Sequence, residues 1–521
     1  MSNKSLSNGL FSNNASKDLF LNKDEKGWYS SFQDFRLSVF SKILSRKFDK
    51  KVLISPVSSR TSAFPHQIST CETVINRMSG RAILADEVGL GKTIEAGMIL
   101  TEYILRKEAS NVLIVVPSGL TEQWKEELLD KFNITIPVVD GRVGYSLNEF
   151  LKNNSMVVTS LAYAKREGYR DSFFEKQWDI VIVDEAHHLK NVNTMNYKFV
   201  KSLKAKKILL LTATPLQNSL TELFNLVNLV SPHAINIAEM SKRFAKNFNK
   251  KTINSLKSIL KSLMVRSRRS DIRGVDELPP RKAETLGVSL SEDYLKLYDR
   301  VSRYAINGYK KSVTNNNSSY IFYLMTLQRM LTSSKGSFVS SLRKRKTRLL
   351  EIKSNLNTSN PKEVLDFLPI SKKKNNKKTL EKELNLEIDS ISEILKECQS
   401  VSDVNKMDVL LRFLRKLYKK DKTSKILIFT EFLKTQDTIC EILKKSGFDV
   451  QIYRGGMSVY EKNEIIENFQ KGQILVSTEA GSEGRNLQFA NVVVNYDLPW
   501  NPMKIEQRIG RVHRLGQKKE V

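Results

Sequence analysis

The stretch Arg81-Ala-Ile-Leu-Ala-Asp-Glu-Val-Gly-Leu-Gly-Lys-Thr is the most informative part of the amino-terminal half of this chain. A short apolar run leads into a turn with two glycines, and Lys92 and Thr93 then open a helical pattern. The backbone N–H groups of such a turn, and of the helix that follows it, can surround phosphates. The stretch therefore predicts a strand, a phosphate-binding loop and a helix within an α/β domain.

Apolar runs of the same kind recur in two series, one in each half of the chain. In the first series, after the run at Arg81, the runs begin at Asn111, Met156, Asp179 and Lys207. In the second series they begin at Lys425, Val450, Gln473 and Asn491. Continuous apolar strands separated by helix-length segments are typical of parallel sheets that are covered on both faces. We therefore predict an α/β fold with two parallel-sheet lobes.

Composition and periodicity divide the chain into four parts. We predict a flexible polar tail at 1–26, a first lobe with a helical lead-in at 27–232, a helical insertion with a basic linker at 233–404 and a second lobe at 405–521. Residues 341–380 carry twelve Lys and Arg against three Asp and Glu. We interpret them as a basic loop beside helices, which is either a solvated linker or a DNA contact.

The charge balance indicates a polyanionic partner. Among the 521 residues, Lys and Arg outnumber Asp and Glu by 85 to 56, a formal net charge of +29. Nucleic acid is the first interpretation and an acidic membrane surface the second, although no apolar run is long enough to span a bilayer. The three scattered cysteines and the polar amino terminus, which lacks the apolar core of a signal peptide, favour a reducing compartment, so we expect a cytoplasmic protein.

A second motif places two carboxylates at the end of an apolar strand. In Trp178-Asp-Ile-Val-Ile-Val-Asp-Glu-Ala-His-His, Asp184 and Glu185 follow the run directly. Parallel sheets bind ligands at this edge, so Asp184 is predicted to hold Mg²⁺ together with Thr93, and Glu185 to deprotonate an attacking water. Lys92 is predicted to reach the β- and γ-phosphates. A lone Asp-Glu pair is usually a loop start, but here it follows a Gly-Lys-Thr turn in the same sheet.

An arginine-rich segment lies near the carboxyl terminus. Glu506-Gln-Arg-Ile-Gly-Arg-Val-His-Arg places Arg511 and Arg514 three residues apart, which predicts one shared helix face. Guanidinium groups that a second domain points at a γ-phosphate act as arginine fingers. The alternative is a basic surface helix, and the finger interpretation depends on the remainder of the ATP site.

Taken in order, these motifs resemble those of superfamily 2 helicases, and more narrowly the Swi/Snf-type double-stranded DNA translocases. Asp86 stands where the usual P-loop has glycine, as in that family, and Thr212-Ala-Thr-Pro and Ser477-Thr-Glu-Ala-Gly-Ser-Glu-Gly-Arg fit further motifs. The amino-acid sequences of these motifs most resemble those of the bacterial branch, the RapA-type ATPases, which recycle RNA polymerase. The resemblance covers residues 60 to 521.

The resemblance implies two RecA-like lobes that close over ATP and Mg²⁺, with helical insertions between them. It further implies that Gln67 reads the adenine edge and that part of the chain contacts the phosphates of one DNA strand. The residues implied in nucleotide binding are Gln67, Asp86, Gly89, Gly91, Lys92, Thr93 and Gly484. Those implied in nucleic-acid contact are Pro117, Ser118, Thr430, Ser477 and Thr478.

The expected function is ATP-driven movement on nucleic acid, with duplex DNA as the first choice, to displace bound protein such as RNA polymerase or to serve in a defence complex. One alternative is an inactive or partner-dependent DNA-binding fragment, because the chain ends at Val521, where the family continues, and the second lobe would then be incomplete. Another is a superfamily 2 motor that acts on polypeptide.

Overall fold

The structure is a computed structural model, and it describes most of the chain. The described residues are 53–61, 63–141, 146–217, 219–232, 250–269, 279–314, 317–355, 377–402, 406–478, 487–514 and 517–521, with positions 37, 39, 41 and 368. The predicted tail at 1–26 and the predicted nucleotide contact Gly484 lie outside these residues.

The first lobe is built on a parallel sheet of seven strands in the order β3-β4-β2-β5-β6-β1-β7. The strands are β1 (Arg81–Leu84), β2 (Val112–Val116), β3 (Val138–Val139), β4 (Met156–Ser160), β5 (Gln177–Val183), β6 (Lys204–Leu211) and β7 (Met264–Val265). Successive side chains of a strand point to opposite faces, so Ile83 packs in one buried core and Leu84 in the other. The sheet is therefore covered on both faces, as its apolar runs predict.

Helices cover this sheet and connect its strands. They are α1 (Ser55–Ser58), α2 (Pro65–Asn76), α3 (Lys92–Leu105), α4 (Thr121–Phe132), α5 (Leu147–Asn153), α6 (Leu161–Ala164), α7 (Arg170–Glu175), α8 (Met195–Ser202) and α9 (Leu220–Val230), with a 3₁₀ turn at Ala186–Leu189. α3 begins at the end of the glycine-containing loop, where its amino terminus faces the carboxyl edge of the sheet.

The region between the lobes is mainly helical, as predicted, with two corrections. Its helices are α10 (Lys250–Lys261), α11 (Glu292–Thr314), α12 (Ser318–Ser333), α13 (Lys335–Ser354) and α14 (Lys377–Ser400). The first sheet extends beyond the boundary predicted at 232, because β7 pairs with β1. The basic stretch predicted as a loop is helical as far as Ser354, with Leu342, Leu349 and Ile352 buried and charges such as Arg343 and Lys344 exposed. None of the helices in the described part of the chain has the length and hydropathy to cross a bilayer.

A buried ion pair lies inside this helical region. Arg345 donates from Nε and Nη2 to Oε1 of Glu387, at 3.2 and 3.1 Å. The hydroxyls of Tyr304 and Tyr320 donate to the same carboxylate, at 2.5 and 3.1 Å from Oε1. Each of the two charged side chains is only 7% exposed, so the opposite charge of its partner offsets the free-energy cost of burying it.

Glu387→Ala is expected to lower the free energy of unfolding by about 3 kcal/mol, because it leaves the Arg345 guanidinium buried without its counter-ion. Chemical denaturation monitored by circular dichroism would measure the change. Glu393→Ala is the matched control, since Glu393 pairs with Arg300 on the surface and should cost less than about 1 kcal/mol. Equal losses in the two variants would contradict this interpretation.

The second lobe has a smaller parallel sheet, with four strands in the order β11-β8-β10-β9. The strands are β8 (Ile426–Thr430), β9 (Val450–Tyr453), β10 (Ile474–Thr478) and β11 (Val492–Asn495). Its helices are α15 (Lys406–Lys420), α16 (Leu433–Lys445), α17 (Val459–Lys471) and α18 (Pro502–Ile509). The predicted fold class, α/β with two parallel sheets, is confirmed.

Candidate active site

The loop between β1 and α3 has the form of a phosphate-binding turn. Gly91 is the residue before α3 and has a φ of 90°, the left-handed region that side chains with a Cβ rarely adopt. A Cβ at this position would also collide with Nε2 of Gln67. Lys92 and Thr93 then form the first turn of α3, where backbone N–H groups are free of intrahelical partners.

Gln67 closes this loop from the side of α2. Its Nε2 donates to the carbonyl of Leu90 at 2.9 Å, and its Oε1 accepts from the N–H of Phe64 at 3.1 Å. The side chain is buried and both ends of its amide are engaged. The structure thus gives Gln67 a role in holding the loop, and the reading of adenine stays a prediction.

Lys92 points back into its own loop. Its Nζ donates to the carbonyl of Asp86 at 2.8 Å, and burial lowers the pKa of its ammonium group while the charges of Glu185 and Asp184 raise it. The predicted lysine and the two predicted carboxylates are therefore close enough to interact electrostatically, although they are about 90 residues apart in the sequence.

Asp184 follows β5 and is held by two donors. Trp124 Nε1 donates to its Oδ2 at 3.0 Å, and the N–H of Glu185 donates to its Oδ1 at 2.8 Å. Burial and the charge of Glu185 raise the pKa of Asp184 to about 6 in spite of these bonds. The carboxylate of Asp184 and the hydroxyl of Thr93, in the first turn of α3, are oxygen ligands of the kind that suits Mg²⁺ bound to a phosphate.

Trp124 is a site residue that the sequence did not reveal. It lies in α4, and a single tryptophan in an amphipathic helix is usually a core residue. Its indole ring is indeed buried, and only the three-dimensional packing brings its N–H to Asp184.

Glu185 has a strained backbone and a defined partner. Its φ of 47° lies in the left-handed region, which costs a non-glycine residue about 1 kcal/mol. Oε2 lies 3.1 Å from Nδ1 of His187. Burial alone would raise the pKa of Glu185, but His187 and the charges of Arg511 and Lys92 outweigh it and hold the pKa at about 2. At neutral pH the side chain is therefore an ionised base.

Arg511 and Arg514 face the first lobe, although they do not share a helix. α18 ends at Ile509, and both arginines lie in the turns after Gly510, so the predicted helix face is wrong. The charge of Arg511 still acts on Glu185. Burial lowers the pKa of Arg514, and the charge of Glu127 in the first lobe opposes that shift. The second lobe therefore brings the charge of Arg511 to Glu185, and it places Arg514 next to Gly89 of the phosphate-binding loop.

The residues predicted to contact phosphates differ in their accessibility. Ser118 is exposed and Pro117 half-buried, in the loop after β2. Thr478 and Thr430 are paired at neighbouring strand ends and both are buried, and Thr430 donates to Oδ2 of Asp497 at 2.6 Å. Ser477 is also buried and donates to the carbonyl of Thr478. In this structure the hydroxyls of Thr430 and Ser477 have partners within the lobe, and their contact with phosphates stays a prediction.

The apparent affinity for Mg²⁺ is expected to rise with pH through about 6, because Asp184 must lose its proton before it can hold the ion. Trp124→Phe removes a hydrogen bond to the ionised form, so the midpoint should move to higher pH. Trp178→Phe is the control, since that indole donates to Phe173 and not to the site. Titrations of the ATPase rate with Mg²⁺ across this pH range would show it, and an unchanged midpoint in Trp124→Phe would contradict the assignment.

Two protein families match most of the chain. The SNF2-related domain family matches residues 66–336, and the helicase conserved C-terminal domain matches residues 405–516. The uncharacterized ATP-dependent helicase YqhH of Bacillus subtilis is 38% identical over 463 residues, which cover 88% of this chain and 74% of that protein.

Two solved structures are also similar. The SWI2/SNF2 ATPase core of Sulfolobus solfataricus in complex with double-stranded DNA is 24% identical, with a TM-score of 0.41. The match covers 89% of this chain and 87% of that one. The Hef helicase domain of Pyrococcus furiosus is 19% identical, with 86% and 94% covered and a TM-score of 0.48.

The chain belongs to the SNF2-related family of superfamily 2 and carries the helicase C-terminal domain of that superfamily. It is an ATP-hydrolysing, helicase-like enzyme, so the predicted class is confirmed. The closer resemblance to RapA-type ATPases stays a prediction.

Proposed function

We propose that this enzyme is an ATP-driven translocase on double-stranded DNA that displaces bound protein. The observation that carries the proposal is the contact of the two lobes over the phosphate-binding loop, where Gly510 of the second lobe approaches Val88 of the first and the charge of Arg511 acts on Glu185. A site divided between two lobes is complete only when they are together, so hydrolysis and lobe movement are coupled.

In the proposed reaction each group has one task. Lys92 binds the β- and γ-phosphates, Thr93 and Asp184 hold Mg²⁺, and Mg²⁺ when bound neutralises phosphate charge. Glu185 orients a water molecule and accepts its proton as the water attacks the γ-phosphorus, while the bond from that phosphorus to the β–γ bridging oxygen breaks and ADP leaves. Arg511, with Arg514, stabilises the charge on the transferred group.

The choice of DNA rests on charge and position. The net charge of +29 suits a polyanion, and Ser118 offers an exposed hydroxyl at a strand end of the first lobe. α13 adds an exposed basic surface that includes Arg343, Lys344 and Arg348. Contacts of this kind bind phosphates without reading bases, so little sequence preference is expected.

Displacement of a third strand from a DNA triplex tests the proposal, because it requires movement along a duplex without separation of its strands. The enzyme with ATP should release the third strand, and Glu185→Gln should not. Release of the third strand without ATP would contradict the proposal. So would a rate of ATP turnover that is the same with and without nucleic acid. The latter outcome would revive a motor that acts on polypeptide, and DNA binding without turnover would indicate a partner-dependent fragment.

Affinity for duplex DNA is expected to fall steeply with salt, because proteins that bind phosphates release counter-ions from the DNA. Replacing Arg343, Lys344 and Arg348 together by Ala should make the slope of log affinity against log salt shallower by about 1 for each phosphate that these side chains neutralise. Removing Lys198, Lys201 and Lys204, which are likewise exposed on the first lobe, is the matched control. Fluorescence anisotropy at several salt concentrations measures the slope, and identical slopes for the two triple variants would exclude α13 from the interface.

A further inference from the structure

The two lobes touch along a seam directly over the phosphate-binding loop. We define the closure seam as Val88 of that loop, Arg269 beyond β7, and Gly510 and His513 of the second lobe. Gly510 permits the close approach, because a Cβ there would collide with Cγ1 of Val88. The proposed function does not use Arg269, which lies at the centre of this seam.

Backbone pairing brings Arg269 to the loop. The ladder between β1 and β7 continues past both strands, since Ala85 N–H donates to Val265 and Glu87 N–H donates to Ser267, at 2.8 and 3.1 Å. The N–H of Arg269 then donates to Oε2 of Glu87 at 3.0 Å. In the segment after β7, Arg268 is exposed, whereas Arg269 is half-buried and contacts both lobes.

The guanidinium of Arg269 bridges the two lobes. Its Nη2 donates to the carbonyl of Val88 in the first lobe at 2.7 Å and to the carbonyl of His513 in the second at 2.9 Å. Its Nη1 lies 2.5 Å from Nδ1 of His513. One side chain thus joins the phosphate-binding loop to the segment that carries Arg511 and Arg514.

His513 has the protonation state that this bridge requires. Its Nε2 lies 2.8 Å from the carbonyl of Pro279, and since a carbonyl only accepts, Nε2 carries the hydrogen. In the neutral ring Nδ1 is then an acceptor, which matches the donor on Arg269. Three acceptors on two lobes suit the planar fork of an arginine and not the single ammonium of a lysine.

We propose that Arg269 is a positioning residue that latches the arginine segment of the second lobe onto the phosphate-binding loop of the first. The latch holds Arg511 near Glu185, so its loss leaves the catalytic groups intact but misplaced. A misplacement of this kind lowers the rate of the chemical step more than the affinity for ATP.

The latch is tested first without nucleotide or DNA, so that the result does not depend on the proposed function. Cysteines introduced at the exposed positions Lys201 and Lys444 would carry a fluorophore pair across the lobes, because the three natural cysteines are buried. Arg269→Ala should lower the transfer efficiency, and Arg268→Ala should not. Equal efficiencies in the natural chain and in Arg269→Ala would overturn the proposal.

Two further variants separate the latch from a general loss of charge or folding. Arg269→Lys keeps the charge but loses the fork, so it should behave like Arg269→Ala, and full rescue by lysine would contradict the latch. Gly510→Ala pushes against Val88 without altering Arg269 and should also lower the transfer efficiency. The melting temperature of each variant identifies any that fails to fold.

Turnover gives the second measurement, and this arm alone rests on the proposed ATPase site. With saturating duplex DNA, Arg269→Ala should lower kcat by about tenfold to a hundredfold while the KM for ATP changes little. A rise in KM with kcat unchanged would assign Arg269 to ATP binding instead and overturn the positioning role. An inactive natural chain would count against the proposed function and leave the fluorescence result to decide the latch.

Discussion

Glu185→Gln is expected to bind ATP as the natural chain does and to hydrolyse it about a thousandfold more slowly. The amide keeps the size of the side chain but has no basic oxygen to accept a proton from water. The pKa of Glu185 is held well below its usual range by His187, Arg511 and Lys92, so the natural residue is ionised at neutral pH and able to accept a proton, which the amide is not. Steady-state turnover and equilibrium binding of a fluorescent ATP analogue measure the two quantities separately.

An exposed carboxylate of the first lobe supplies a control for this substitution. Glu175 is the last residue of α7 and is exposed, so Glu175→Gln removes an equal charge outside the phosphate-binding loop. Glu175→Gln should retain the turnover. Near-normal hydrolysis by Glu185→Gln would remove Glu185 from the role of base.

Arg511→Ala is expected to lower turnover by about a thousandfold, because arginine fingers supply rate factors of that order in related nucleotide hydrolases. The affinity for ATP should change less, since the guanidinium acts on charge that develops in the transition state. Loss of the positive charge should also raise the pKa of Glu185, because Arg511 is one of the groups that lower it. Measurements of kcat and KM for ATP, with duplex DNA present, check the expectation.

Lys518→Ala is the matched control for Arg511→Ala. Lys518 is an exposed cation a few residues further along the same segment, so its removal changes the net charge equally. A rate in Arg511→Ala equal to that of Lys518→Ala would exclude the finger role.

Most of the architecture could be predicted from local sequence, because buried parallel strands are continuous apolar runs. β2 (Val112–Val116) and β8 (Ile426–Thr430) lie where those runs are. β7 could not be predicted, since two residues make no pattern and its place depends on pairing with β1. The prediction of a loop in the basic stretch is wrong as far as Ser354, because the many charges hide the helical spacing of Leu342 and Leu349.

The residues of the candidate site also fall into those that local sequence predicts and those that it does not. Lys92, Asp184 and Glu185 belong to short motifs at strand ends, where spacing along the chain implies position. Trp124 and Arg269 act through contacts with residues that are 60 and more positions away, which no local pattern encodes. For Thr430, the sequence predicts the place at a strand end, but it does not predict that the buried hydroxyl donates to Asp497.

The measurement that tests the central claim most directly is steady-state ATP hydrolysis by this chain alone, with no nucleic acid, with duplex DNA, with single-stranded DNA and with RNA. Glu185→Gln serves as the blank. We expect duplex DNA to stimulate ATP hydrolysis strongly, and to stimulate it more than single-stranded DNA or RNA does. Hydrolysis at the level of the blank under all four conditions, or equal rates with and without DNA, would contradict a duplex-driven motor.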